Sequence, residues 1–215
     1  MNGNLFRMLK NNKSLLIYVG VIALVAVAAR LLPHIPNTAP VGALALFLGL
    51  RLSGWHKIPL LLVVLFVTDL LIGFYNPYVM LSVYGSFLLI LALGSLNKKY
   101  ADKFSFVLVG SLLGSFLFFI ITNAAVWAFG TMYTHTWAGL ILCYALALPF
   151  FGYTLLGDIF WNTAFYSGHA FVQKRLFAST RLNHFTRGGM IARTLAKRDV
   201  LGAVSSPGRA HPWHG

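Results

Sequence analysis

From Phe104 to Phe129 no side chain is charged. A helix across a bilayer needs about 20 mostly apolar residues, and only helices or closed barrels satisfy their backbone polar groups in hydrocarbon. A run of this kind commits the chain to a membrane. The rest of the sequence agrees, with 58% hydrophobic residues, 10% charged residues and a mean hydropathy of +0.75. Soluble domains carry about 25% charged residues, so a surface this poor in charge suits lipid rather than water. One cysteine, Cys143, excludes an internal disulfide framework and a cysteine-based metal site.

Further apolar runs suggest spans at Ser14–Leu32, Thr38–Leu52, Ile58–Phe74 and Tyr78–Leu96. The second is short, with Pro40 in its first turn, where a missing N–H costs little. The last apolar region, Trp137–Val172, is divided by Pro149 and Gly152 and could hold one crossing or two. Charge separates these choices, because lysine and arginine collect on the cytoplasmic side of span ends. All but one of the 17 lysines and arginines lie in the N-terminal segment, the loops after spans two and four, and the tail from Lys174. Six spans place them on one face; seven would set the tail against the rest. The expectation is an all-α integral membrane protein: a six-transmembrane-helix bundle with one extra short re-entrant or interfacial helix, Trp137–Phe151, before the last span, Gly152–Val172. The parts are a basic cytoplasmic N-terminus (1–13), the transmembrane domain (14–173) and a basic, disordered cytoplasmic tail (174–215).

The basic excess, +13 overall, then sets topology and touches anionic membrane lipids. The tail carries no nucleic-acid motif, and no nucleic-acid partner is expected. His211 and His214 fit a solvated tail better than a metal site. Arg7, Lys10 and Lys13 before an apolar run and Ala26-Val27-Ala28 loosely mimic a signal peptide. A second apolar segment follows at once, which favours retention as span one.

In this topology Arg30 is the one basic residue on the outer side. Asn37, Asp69, Tyr75, Asn76, Tyr84, Asn123, Trp127, Asp158 and Asn162 fall in the same outer half. A carboxylate in hydrocarbon costs roughly 2.5–3.5 kcal/mol at a helix centre. Such residues usually face the bundle interior and mark a solute or ion path. One arginine does not neutralise both Asp69 and Asp158, which leaves an acid for a proton or a ligand's cation. Arg30, Asp69, Asp158 and Asn123 are the first candidates to line a pocket; the others are second choices. Interhelical hydrogen bonds also act as plain glue, at about 0.6 kcal/mol each, and Trp127 and Trp161 suit an interfacial belt. Gly110 and Gly114 form a GxxxG, read as close helix packing. No HExxH, GxSxG or Walker A pattern is present, so neither an enzyme nor a cofactor is expected, and the chain does not drive transport with ATP by itself.

The stretches RLLPHIPNTAPVGALALFLG, TDLLIGFYNP with VYGSF, SLLGSFLFFIITNAAVW and AGLILCYALALPFFGYTLLGD occur in order from about Arg30 to Asp158. Together they resemble bacterial membrane proteins of the DUF6580 type, described as candidate transport proteins. Those are in turn similar to the substrate-binding S-components of energy-coupling-factor transporters. The resemblance implies a six-helix bundle in a bacterial inner membrane with both termini cytoplasmic. It further implies capture of a small-molecule solute from outside, with a coupling membrane subunit and its ATPases as partners. S-components often carry Ala-x-x-x-Ala in span one; here Ala23, Ala26, Ala28 and Ala29 have other intervals, while Ala39 and Ala43 have the spacing in span two. Two other readings remain open: an autonomous proton- or ion-coupled carrier in which Asp69 or Asp158 titrates, and a non-transporting scaffold.

Overall fold

The computed structural model describes the backbone of residues 3–32 and 38–204, and side chains at 13, 15–32 and 38–175. The elements are α1 (Gly3–Leu31), α2 (Val41–Arg51), α3 (Lys57–Ile72), α4 (Pro77–Leu96), a 3-10 turn (Lys98–Tyr100), α5 (Phe104–Phe129) and α6 (Trp137–Val204). No strand occurs among the described residues. The chain divides into two compact units, Met1–His169 and Ala170–Gly215.

Three helices are long and apolar enough to cross a membrane: Pro77–Leu96, Phe104–Phe129 and the Trp137–Arg175 part of α6. Leu15–Leu31 and Val41–Arg51 are shorter apolar helices. Leu16, Ile17, Leu24, Val63, Leu71 and Leu81 are among many large apolar side chains left more than half exposed. In water so much exposed apolar surface would drive association; in lipid it is the expected exterior.

The first unit is organised around α2. Every residue from Val41 to Leu50 is buried, and the core cluster joins it to Val19, Ile22, Leu61, Leu65, Ile90, Leu91 and Phe165. A helix apolar on all sides has no face to give to solvent and becomes a core element. With 11 residues it is about 16 Å long at 1.5 Å per residue, well short of a bilayer core. Its close neighbour is α4. A Cβ on Gly49 would overlap the Leu91 carbonyl and meet Gly94 Cα at 3.0 Å, so the two backbones touch where each lacks a side chain. The GxxxG of α5 also serves packing: Gly110 faces the Leu46 side chain and Gly114 faces Ile90.

Local signals set the ends. Gly73 closes α3 at φ +113, a conformation that costs other residues dearly. Asn76 Oδ1 then accepts the N–H groups of Tyr78 and Val79 at 3.0 and 3.3 Å, with Pro77 beginning α4; both residue types are favoured there. At the opposite end of this hairpin Lys57 Nζ donates to Ser95 Oγ at 2.6 Å. Arg51 pairs with Asp102 at 2.7 Å. The basic loops therefore gather at one end of the unit.

The expected separate helix over Trp137–Phe151 is corrected: α6 runs without a break through Pro149. Packing against α5 explains why. Tyr144 donates to the Ile120 carbonyl at 2.7 Å, the Phe151 ring lies 5.0 Å from that of Phe119, and Tyr166 donates to the Asp102 carbonyl at 2.5 Å. These contacts run antiparallel to α5, from Ile120 back to Asp102 just before its first turn. One missing backbone hydrogen bond at a proline is tolerated in such a helix when neighbours hold it. In the second unit α6 continues to Val204, through part of the stretch whose composition reads as a disordered tail, and the Arg175 guanidinium stacks over Phe171 at 5.1 Å. The rest of that tail, from Ser205, lies outside the described residues.

Candidate functional site

Arg30 is the last basic residue of α1, and a cation at a helix C-terminus is favoured by the peptide dipoles. Its Nη2 lies 2.6 Å from Asp69 Oδ1. Its Nη1 donates to Thr68 Oγ1 at 2.6 Å and reaches the Leu65 carbonyl at 3.5 Å. Tyr84 of α4 donates to Asp69 Oδ2 at 2.7 Å. Asp69 is thus held by a cation from α1 and a phenol from α4. Its side chain is 2% exposed, against 16% for Arg30. Tyr75, in the turn after α3, is near enough to feel the pair. Burial first, and then the Asp69 charge, push its phenol upward, with Arg30 opposing.

Asp158 belongs to a different hydrogen-bond network. Its Oδ2 accepts from Ser115 Oγ of α5 at 2.7 Å, and its carboxylate accepts the backbone N–H of Ala43. Pro40, the N-cap of α2, supplies no side-chain cap, so a carboxylate from α6 caps α2 instead. Such a cap satisfies an N–H that the helix cannot and sits at the positive end of the helix dipole. Gly42 makes room, since a Cβ there would overlap the carboxylate. One helical turn on, Asn162 Nδ2 donates to Ser111 Oγ at 2.9 Å, and Trp161 Nε1 donates to the Thr38 carbonyl at 2.9 Å. Non-helical backbone at membrane depth persists only where it is buried in protein with its polar groups met. The Thr38–Pro40 approach to α2 is held in this way.

The two aspartates have separate partners. Among the described residues Arg30 pairs with Asp69, and Asp158 has no ion pair. Asn123 Nδ2 bonds back to the Phe119 carbonyl of its own helix at 2.8 Å. Asn76 Nδ2 ties α4 to the Phe129 carbonyl at 2.8 Å. Trp127 Nε1 donates to the Thr134 carbonyl at 3.1 Å. Asn37 lies outside the described residues. Sequence reasoning missed Thr68, Ser111 and Ser115; small hydroxyl residues are common in apolar helices, and only the Ser111–Ser115 spacing on the Gly110–Gly114 face hinted at a polar seam. Among the described residues no group of three or more His, Cys, Asp or Glu is placed to hold a metal ion.

Chemically, the Arg30–Asp69–Tyr84 cluster offers both signs of charge and a phenol in one desolvated place. A guanidinium carries five N–H donors, and three acceptors meet it among the described residues, so it has capacity for a ligand's oxygen.

No curated protein and no solved structure matches the chain. The profile of the family described as "Family of unknown function (DUF6580)" matches residues 9–182. That stretch takes in Arg30, Asp69, Tyr84, Ser115 and Asp158, and the chain belongs to this family.

Proposed function

We propose that the chain is a membrane transport protein that binds a small polar solute at Arg30, Asp69 and Tyr84, in the manner of an S-component. It crosses a bacterial inner membrane six times, with both termini cytoplasmic and the cluster opening outward. The observation that carries this reading is the desolvated Arg30–Asp69 pair, built from two helices with Tyr84 from a third, at the end of the unit away from the lysine-bearing loops. The second crossing takes in Thr38–Pro40 and α2, and Asp158 serves by holding α2 in place. The chain carries no Walker A pattern, and on the S-component reading the energy comes from partners, a coupling membrane subunit with ATPases. Ala43 is fully buried, so the Ala39–Ala43 pair does not offer a docking face, and such a subunit would bind elsewhere.

A second reading, a scaffold, is favoured by one fact: no buried side-chain nitrogen or oxygen lacks a partner among the described residues. The networks are closed without a ligand. Native mass spectrometry of the purified protein separates the two. On the transport reading the wild type carries a co-purified solute, and Asp69→Asn folds but loses it. On the scaffold reading neither carries one, and Asp69→Asn alters thermal stability alone.

A further inference from the structure

Lys57 is one of the few charged residues that the first unit buries, at 9% exposure. A buried ammonium is normally paired with a carboxylate. Here Nζ donates to a neutral hydroxyl, Ser95 Oγ, at 2.6 Å, and that hydroxyl donates its O–H to the Leu91 carbonyl at 2.7 Å. Lys98 likewise leans on a hydroxyl, Ser53 Oγ, at 3.2 Å. The nearby acid, Asp102, is engaged by Arg51 at 2.7 Å. Lys99 and Lys103 stand over the Tyr100 ring at 4.9 and 5.2 Å. Lys57 precedes the span that begins at Ile58; burial, and after it repulsion from Lys98, hold its ammonium below the ordinary lysine range. Two like charges thus stand near one another, and among the described residues their side-chain partners are hydroxyls.

The surroundings suit an anion from the lipid headgroup layer. Trp55, two residues before Lys57, is 68% exposed and lies against His56 with ring centroids 4.5 Å apart. Leu96, two residues before Lys98, is 83% exposed. Exposed tryptophan beside lysine marks headgroup depth at a bilayer, and an exposed leucine two residues before the second lysine suits an acyl chain.

We propose that Lys57 and Lys98, flanked by Trp55 and Leu96, form a seat for the phosphate of an anionic phospholipid at the basic end of the bundle. The phosphate bridges the two ammonium groups, the indole lies along the glycerol region, and the chain descends past Leu96.

The test is a lipid titration of the detergent-solubilised full chain followed by native mass spectrometry, with phosphatidylglycerol, phosphatidylcholine or inorganic phosphate. The wild type should retain phosphatidylglycerol in preference to phosphatidylcholine. Lys57→Gln and Lys98→Gln should each weaken retention about fivefold, and Lys99→Gln, in the same turn, should leave it unchanged. Lys98 lies in a turn, so Lys98→Gln decides the matter if Lys57→Gln fails to fold. Equal retention by all variants, or an equal loss in Lys99→Gln, would overturn the seat. Inorganic phosphate displacing phosphatidylglycerol at matched concentration would overturn its assignment to lipid.

Discussion

Arg30→Met should destabilise the protein by about 3 kcal/mol, because it strands the Asp69 carboxylate at 2% exposure with no cation. Asp69→Asn should cost clearly less. The arginine it leaves behind is 16% exposed, ends a helix, and can carry its charge toward the interface on a flexible stem. The double substitution Arg30→Met with Asp69→Leu should recover most of the loss, since replacing both members of a buried pair by apolar groups is often neutral or better. Thermal unfolding in detergent of the two single variants and the double measures this, and the coupling between them is the signature. Additive losses would mean that the two residues are not partners.

The second large effect concerns the contact of α2 with α4. Gly49→Ala and Gly94→Ala should each cost about 3 kcal/mol. The atoms that a new methyl would meet belong to backbone: the Leu91 carbonyl and Gly94 Cα for Gly49, and the Leu46 carbonyl and Leu50 nitrogen for Gly94. A side chain can swing aside; two helix backbones must separate, and α2 is the centre of the core. Gly85→Ala, in the same helix as Gly94, is the control. A Cβ there meets nothing within 4 Å, so the change should stabilise by about 0.5 kcal/mol through helix propensity. Midpoints of thermal unfolding for the three variants should therefore move in opposite directions. Equal shifts in all three would contradict the packing account.

Much of this architecture was legible because charges bracket the apolar runs. The span expected at Phe104–Phe129 coincides with α5, and that at Tyr78–Leu96 differs from α4 by one residue. The place of α2 was not legible. An all-apolar helix looks the same in sequence whether it crosses lipid or is the core around which others pack. Pro149 reads as a break, and the contacts that carry α6 past it, from Ile120 and Phe119 of α5, are distant in sequence. Within the candidate site, the Arg30–Asp69 pair could be anticipated, as opposite charges in the same half of the bundle. The role of Asp158 could not, because beside Ser115 its partner is the backbone N–H of Ala43, and a backbone donor leaves no trace in residue identity.

On the proposed topology the Arg30–Asp69 end and the lysine end face opposite sides of a membrane. Sided labelling with a membrane-impermeant maleimide tests it most directly, on a Cys143→Ala background. Met132→Cys, in the loop between α5 and α6 and 77% exposed, should react in intact cells. Lys99→Cys, in the turn between α4 and α5, should react only after permeabilisation. Labelling of both from the same side, or the reverse pattern, would contradict the account.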